Sequence, residues 1–294
     1  NVFLISFRTI PMTVYRVEMN PLKYSLVTFL AALFTLLFNI YFVVCLRMGI
    51  EGVLWGNFAG GMVGLVLVFN DIRKHICFRL DFGVFKKMIK YGLPIGLSTI
   101  PLSLTFLNDR YILVHFSTLE EVGKYALGSR FSNLLLVFFV APFQLNWLPF
   151  MLESKDGQNR AELFSKIGAR FFYIGISIVF FISVFSPFLI MMVAPYIYLE
   201  AMNVVPILSF AVLLYGLGFI FRSGILVSDS TVAVSKIIFT GVAISIMLNI
   251  ILIPFLGMYG ASISLLISFL FIAFYSYLEG QKKLKIAYPI FKMS

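Results

Sequence analysis

Charge is scarce in this sequence: only 12% of its residues are Asp, Glu, Lys or Arg, against about 25% in an average soluble domain. A soluble protein of 294 residues must present a polar surface, and a single core stops growing at about 250–300 residues. The composition therefore excludes an ordinary soluble domain. Cysteine is nearly absent. Cys45 and Cys77 stand alone with no CxxC spacing, which argues against a disulfide framework or a thiolate metal site. His75 and His115 are as isolated, with no Cys or carboxylate at ligand spacing, so no metal centre is expected. Glu120 and Glu121 read as first-turn charges complementing a helix dipole and not as a catalytic pair, and no other carboxylate pair, Ser/His/Asp set or phosphate loop can be found. The chain is thus not expected to be an enzyme or to hold a cofactor. Nor is there a charged stretch before the apolar residues 2–7, so they do not read as a signal peptide. They read as the end of a helix that begins upstream.

What the sequence does have is apolar runs, with 61% hydrophobic residues. Runs of roughly 18 residues or more read as membrane spans. Full spans are expected at 24–46, 53–70, 88–107, 125–150, 171–194, 204–228, 233–256 and 258–278, after a stub at 1–8. The fold class is therefore all-α and polytopic, with eight transmembrane helices plus a stub. The net charge of +10 lies between the apolar runs, so it points to a bilayer and not to nucleic acid. Of the 23 Lys and Arg, all but Arg47, Arg110, Lys124 and Arg130 fall in alternate loops or at their borders. That is the positive-inside pattern, and it predicts a cytoplasmic C-terminus.

An internal repeat is visible. Residues 36–46, LLFNIYFVVCL, align with 246–256, IMLNIILIPFL, so Asn39 matches Asn249. After two residues of slippage, Gly49-x-x-Gly52 matches Gly257-x-x-Gly260. The copies lie six helices apart, so they cross the bilayer in the same direction, as in a parallel transporter repeat. With a repeat unit of six helices, the complete protein is expected to have twelve, of which the first four are absent here. The expected division is an N-terminal bundle ending at 1–72, a cytoplasmic linker at 73–90, a C-terminal bundle at 91–280 and a basic tail at 281–294.

Polar residues inside spans mark candidate sites, because an intramembrane charge costs on the order of 3 kcal/mol on insertion scales. Arg110, Arg130, Arg222 and Lys236 are expected either to snorkel to an interface or to line one water-filled cavity that favours an anionic cargo. Arg suits phosphate, because its planar fork donates two parallel hydrogen bonds. Asp109 is either a coupling residue or the partner of Arg110 in an ion pair at a helix end. Gln144, Asn146 and Trp147 are candidate glycan contacts or interface anchors. Pro94, Pro101 and Pro142 interrupt spans and are candidate hinges. Gly56, Gly60 and Gly64, like Gly92 and Gly96, have the spacing of close helix contacts. Thr118 and Glu121 form a capping-box pattern opening a helix, within the longest outer loop, expected at 108–124.

Tyr91-Gly92-Leu93-Pro94, Asn108-Asp109-Arg110-Tyr111, Glu121 to Leu127 (EVGKYAL) and the Leu248-Asn249-Ile250 … Gly257-x-x-Gly260-Ala261 pattern together resemble the Wzx-type O-antigen flippases. These are polysaccharide biosynthesis proteins of the multidrug/oligosaccharidyl-lipid/polysaccharide exporter superfamily. The resemblance implies a MATE/MurJ-like fold of two six-helix bundles around a central cavity. It implies a bacterial inner-membrane flippase that moves undecaprenyl-diphosphate-linked oligosaccharide by alternating access, with ion counterflow driving the cycle. Expected partners are that cargo, membrane lipids and polysaccharide polymerase machinery. A cation or drug antiporter of the same superfamily is the nearest alternative, and a membrane oligosaccharide polymerase or ligase a more distant one. The antiporter would want a cavity rich in acid, and Asp109 is the sole carboxylate expected near one. The enzyme would want a large outer loop.

Overall fold

The structure, a computed structural model, describes residues 9, 12–15, 21–75, 81–153, 160–228 and 230–286. The expected stub at 1–8 lies outside them, as do Cys77, Lys155 and Lys292. All the regular structure described is helical. The chain divides into two compact units, Asn1–Asp81 and Phe82–Ser294.

The first unit is built on a helix pair. Helix α1 (Pro21–Ile40) runs on into a π-helical turn, Tyr41–Cys45. Helix α2 (Gly49–His75) follows after a turn in which Arg47 and Gly49 both have positive φ. The pair is antiparallel: a Cβ added at Gly52 would meet the Phe42 backbone, at Gly56 Asn39, and at Gly60 Thr35. The glycine spacing in α2 thus marks a close helix contact at Gly56 and Gly60. The outer faces carry exposed Leu22, Leu26, Phe29, Trp55 and Val66. Such a surface suits lipid and not water.

The second unit holds the larger core. Helix α3 (Phe82–Phe116) is 35 residues long, or about 52 Å at 1.5 Å per residue. Helix α4 (Leu119–Leu135) continues through a π-helical turn, Leu136–Val140, into α5 (Ala141–Glu153). The π turn sits just before Pro142, which has no N–H for the Phe138 carbonyl, and the register slips there. Helix α6 (Arg160–Val193) and a 3-10 segment, Tyr196–Asn203, lead to α7 (Val205–Phe221). A short α8 (Ser223–Val227) precedes α9 (Thr231–Lys283). Helix α7 is hydrophobic all round, as a central helix must be. Most of its residues are buried, Leu208, Ala211, Leu213 and Ile220 almost completely.

Among the described residues, six stretches are long and apolar enough to cross a membrane: Leu22–Cys45, Gly49–Phe69, Leu119–Met151, Ala161–Val193, Val205–Val227 and Thr231–Lys283. The last is two rods, because Gly257 breaks it at φ 51, ψ −128. Helix α3 is also of spanning length, its middle diluted by Pro, Ser and Thr. Among the described residues the rods therefore number eight, and the protein is a multi-pass membrane protein. Two expectations need correction. The outer loop at 108–124 does not exist: α3 continues to Phe116, and Ser117 and Thr118 alone make the turn. The polar pair Asn108 and Asp109 reads as a helix end but is held inside the helix by partners on other helices. Gly92 and Gly96 make no close contact, since a Cβ on either would meet nothing within 4 Å.

The repeat is realised in geometry. Gly49 and Gly257 both adopt positive φ, +57 and +51. Three residues on, Gly52 lies against the backbone of Phe42 and Gly260 against that of Leu252, positions that the alignment of Asn39 with Asn249 makes equivalent. A side chain would crowd the facing backbone at Gly52 and clash with it at Gly260, so the same two glycines serve both copies.

Candidate functional site

Three helices of the second unit meet at Asp109. Its carboxylate on α3 is 1% exposed, and Asn249 on α9 is fully buried. The Tyr125 hydroxyl of α4 donates to Asp109 Oδ2 at 2.8 Å. The Asn249 side-chain amide donates to Asp109 Oδ1 at 2.7 Å. Each carboxylate oxygen thus receives one neutral donor. The depths agree. Asp109 lies seven residues before the end of α3, Tyr125 seven after Thr118, and Asn249 eight before the Gly257 break. At 1.5 Å per residue, each is about 10–12 Å in from the same end of the bundle.

Arg110 does not pair with Asp109. Successive helical side chains diverge by about 100°, and the Arg110 guanidinium donates instead to Ser129 Oγ on α4 at 2.9 Å. The hydrogen bonds to Asp109 therefore come from the neutral donors Tyr125 and Asn249. Asn249 Oδ1, Asn108 Nδ2 and Arg110 Nε are buried with no protein partner, so the neighbourhood of this node keeps polar capacity that its own side chains do not use.

The nearby bundle end is stitched together. Thr118 Oγ1 caps α4 by accepting from the Glu121 N–H at 3.3 Å, so half of the capping box is present. The other half is redirected: Ser117 donates to the Glu121 carboxylate, which also lies where a Cβ on Gly257 would have to go. Lys124 bridges Glu120 and Glu200, each at 2.7 Å. Asn203 donates to the Tyr259 hydroxyl at 3.0 Å. The α3–α4 turn, the 3-10 segment and the break in α9 are thereby joined by polar contacts.

The other expected site residues are dispersed. Arg130 is exposed beside a shallow hollow of about 270 Å³ lined by Gly123, Leu127, Ala194 and Tyr198. Arg222 is buried at the opposite end of α7. Its Nε donates to the Gly218 carbonyl at 2.9 Å, and its guanidinium lies 5.5 Å from the centre of the Phe219 ring. Lys236 is exposed on α9, 13 residues or about 20 Å along the helix from Asn249. The four cations therefore form no single cluster: Arg110 and Arg130 lie towards one end of the unit, Arg222 and Lys236 towards the other. The Gln144, Asn146 and Trp147 group divides as well. Gln144 Nε2 is buried and unpartnered. Asn146 donates back to the Pro142 carbonyl at 2.8 Å. Trp147 is a core residue, packed on Phe143 and Phe164 and donating to Ser223 Oγ at 3.0 Å. Of the expected hinge prolines, Pro94 ties α3 to α9 by accepting from Ser235 Oγ at 2.6 Å. Pro101 lies one turn before Thr105, which donates to its carbonyl at 3.0 Å.

Sequence reasoning missed Tyr125 and Asn249 as partners of Asp109. Asn249 carried a signal, a lone amide in an apolar run, but it was legible only as a repeat marker. Tyr125 carried none.

Residues 15–155 match the family described as polysaccharide biosynthesis protein. No curated protein sequence matches the chain. Among solved structures, a mutant of the Vibrio cholerae MATE transporter is similar at 18% identity and TM-score 0.80, covering 95% of this chain and 66% of that one. A MATE transporter in its straight conformation is similar at 16% identity and TM-score 0.83, with 95% and 66% covered. An outward-facing multidrug-resistance transporter of the MATE family and MOP superfamily is similar at 15% identity and TM-score 0.81, with the same coverage. The chain thus spans about two thirds of the length of these transporters, a little under it at 66%. It has the fold of the MATE transporters of the MOP superfamily, and nearly half of it matches the polysaccharide biosynthesis protein family.

Proposed function

We propose that this chain is part of a flippase that carries undecaprenyl-diphosphate-linked oligosaccharide across the bacterial inner membrane by alternating access. The match of residues 15–155 to the polysaccharide biosynthesis family supports this cargo. The observation that carries the mechanism is Asp109: a buried carboxylate at the meeting of three helices, bonded only to neutral donors. Such a group is a binding point for a proton or small cation, and occupancy changes what holds α3, α4 and α9 together. That is what ion coupling needs. Arg110, Arg130 and Arg222 are the cations proposed to meet the diphosphate, at successive levels of the path and not in one grip. Gln144 and Asn146 offer amides to the glycan, and Pro94, Pro101 and Pro142 flex the helices. Positive-inside counting puts the C-terminus in the cytoplasm and the Asp109 end of the unit towards the periplasm.

The test uses the full-length protein in a strain deleted for its gene. Asp109→Asn should abolish surface polysaccharide with normal protein abundance, and lipid-linked repeat units should accumulate. A second reading, a cation or drug antiporter, is favoured by the same buried acid and by the multidrug MATE fold. It predicts the reverse: unchanged polysaccharide and increased sensitivity to cationic drugs.

A further inference from the structure

Between the two rods of α9 lies a groove of about 550 Å³ that the Asp109 node does not touch. Lys236 and Thr240 form part of one wall, and Phe271, Tyr275 and Glu279 part of the other. The groove is graded. At one end stand Lys236 and Glu279, close to Lys282 and Lys283 in the last turn of α9. Towards the middle it is apolar: Phe271 stacks on Tyr275 at 5.5 Å, and the Thr240 hydroxyl is turned back to the Lys236 carbonyl at 2.8 Å, which leaves its methyl group for the groove.

Its charge is graded too. Glu279 is engaged by Lys282 at 2.6 Å. Among the described residues no carboxylate lies within ion-pair distance of Lys236. The groove therefore keeps one uncompensated cation. It stands about 8 Å, five residues, into α9, beside apolar wall and not at the helix tip. A lysine needing only water could snorkel from a convex face. A cation at the mouth of an apolar cleft between two spanning helices is complementary to an anionic headgroup with an acyl chain below it.

We infer that this groove is a binding site for an anionic phospholipid, with the phosphate on Lys236 and one acyl chain lying against Phe271 and Thr240. The groove lies apart from the Asp109 node, and the inference does not depend on which cargo the protein carries.

The test places a reporter in the groove. Tyr275→Trp is made in the full-length protein, and its fluorescence above that of the parent is followed in vesicles containing brominated phosphatidylglycerol or brominated phosphatidylcholine. One lysine near an anionic headgroup predicts a roughly five-fold preference, so phosphatidylglycerol should quench at about a five-fold lower mole fraction. Lys236→Gln should erase that preference, and Lys236→Arg should keep it. Equal quenching by both lipids, a preference untouched by Lys236→Gln, or no quenching by either would overturn the site. Native mass spectrometry of the protein without the reporter gives an independent reading: Lys236→Gln should lose one retained phosphatidylglycerol, and an unchanged count would likewise overturn it.

Discussion

Asn249 donates its side-chain amide to Asp109 across 140 residues of sequence, at 2.7 Å. This bond joins α9 to α3 in the interior of the second unit. Hydrogen bonds to charged groups contribute about 1.5–3 kcal/mol. Asn249→Ala should therefore lower the thermal midpoint measurably, and Asn249→Leu should do so no less. Tyr125→Phe should have a smaller effect of the same sign, because it removes only a hydroxyl, whereas Asn249→Ala also empties buried side-chain volume. In Asp109→Asn the two substitutions should become nearly neutral, since the charge they serve is gone. Undiminished effects in that background would refute the node as a unit.

The two positive-φ glycines are expected to differ. At both, any side chain is strained by about 1–2 kcal/mol. At Gly257 it would also collide with the Glu121 carboxylate, whereas at Gly49 it meets nothing within 4 Å. Gly257→Ala should thus destabilise more than Gly49→Ala. Glu121→Ala added to Gly257→Ala should recover part of the difference. Thermal unfolding of the three variants decides this, and equal losses at both glycines would count against the assigned contact.

A second glycine contrast separates packing from pattern. Gly60→Leu should wreck the α1–α2 pair, because even a Cβ there overlaps Thr35. Gly92→Ala and Gly96→Ala should leave stability unchanged or raise it slightly, as each removes helix-interior glycine entropy of about 0.5–1 kcal/mol. The same spacing stands in both helices, and the neighbours decide its meaning.

The rods were legible in the sequence because a bilayer imposes length and hydropathy on each span separately. The Gly257 break was legible because only glycine tolerates that backbone, and its twin at Gly49 repeats it. What failed was local reading of polar residues. Asn108, Asp109 and Arg110 looked like a helix end, yet α3 runs seven residues past Asp109, because partners on α4 and α9 satisfy it there. Trp147 looked like an interface anchor and is a core residue bonded to Ser223 on α8. In each case the partner lies on another helix, and one-dimensional periodicity carries no information about which helices meet.

The separation of the cations makes the last prediction. Arg110 and Arg222 lie towards opposite ends of the second unit, so one diphosphate cannot engage both in a single state of this bundle. If both serve the cargo, they act at different stages. Arg222, on the side assigned to the cytoplasm, should govern capture: Arg222→Ala should weaken binding of the lipid diphosphate to the purified full-length protein and lower surface polysaccharide. Arg222→Lys should restore only part, because an ammonium keeps the charge but lacks the bidentate fork. Arg110, held by Ser129 beside the Asp109 node, should govern passage: Arg110→Ala should leave binding within about two-fold and still lower polysaccharide several-fold. Arg222 is also a helix-end residue bonded to the Gly218 carbonyl, so thermal stability must be measured alongside. A loss of polysaccharide in Arg222→Ala that tracks only a loss of folded protein would assign this arginine to structure. Equal effects of the two substitutions on binding would argue instead for a single shared cation site, reached through a rearrangement of the bundle.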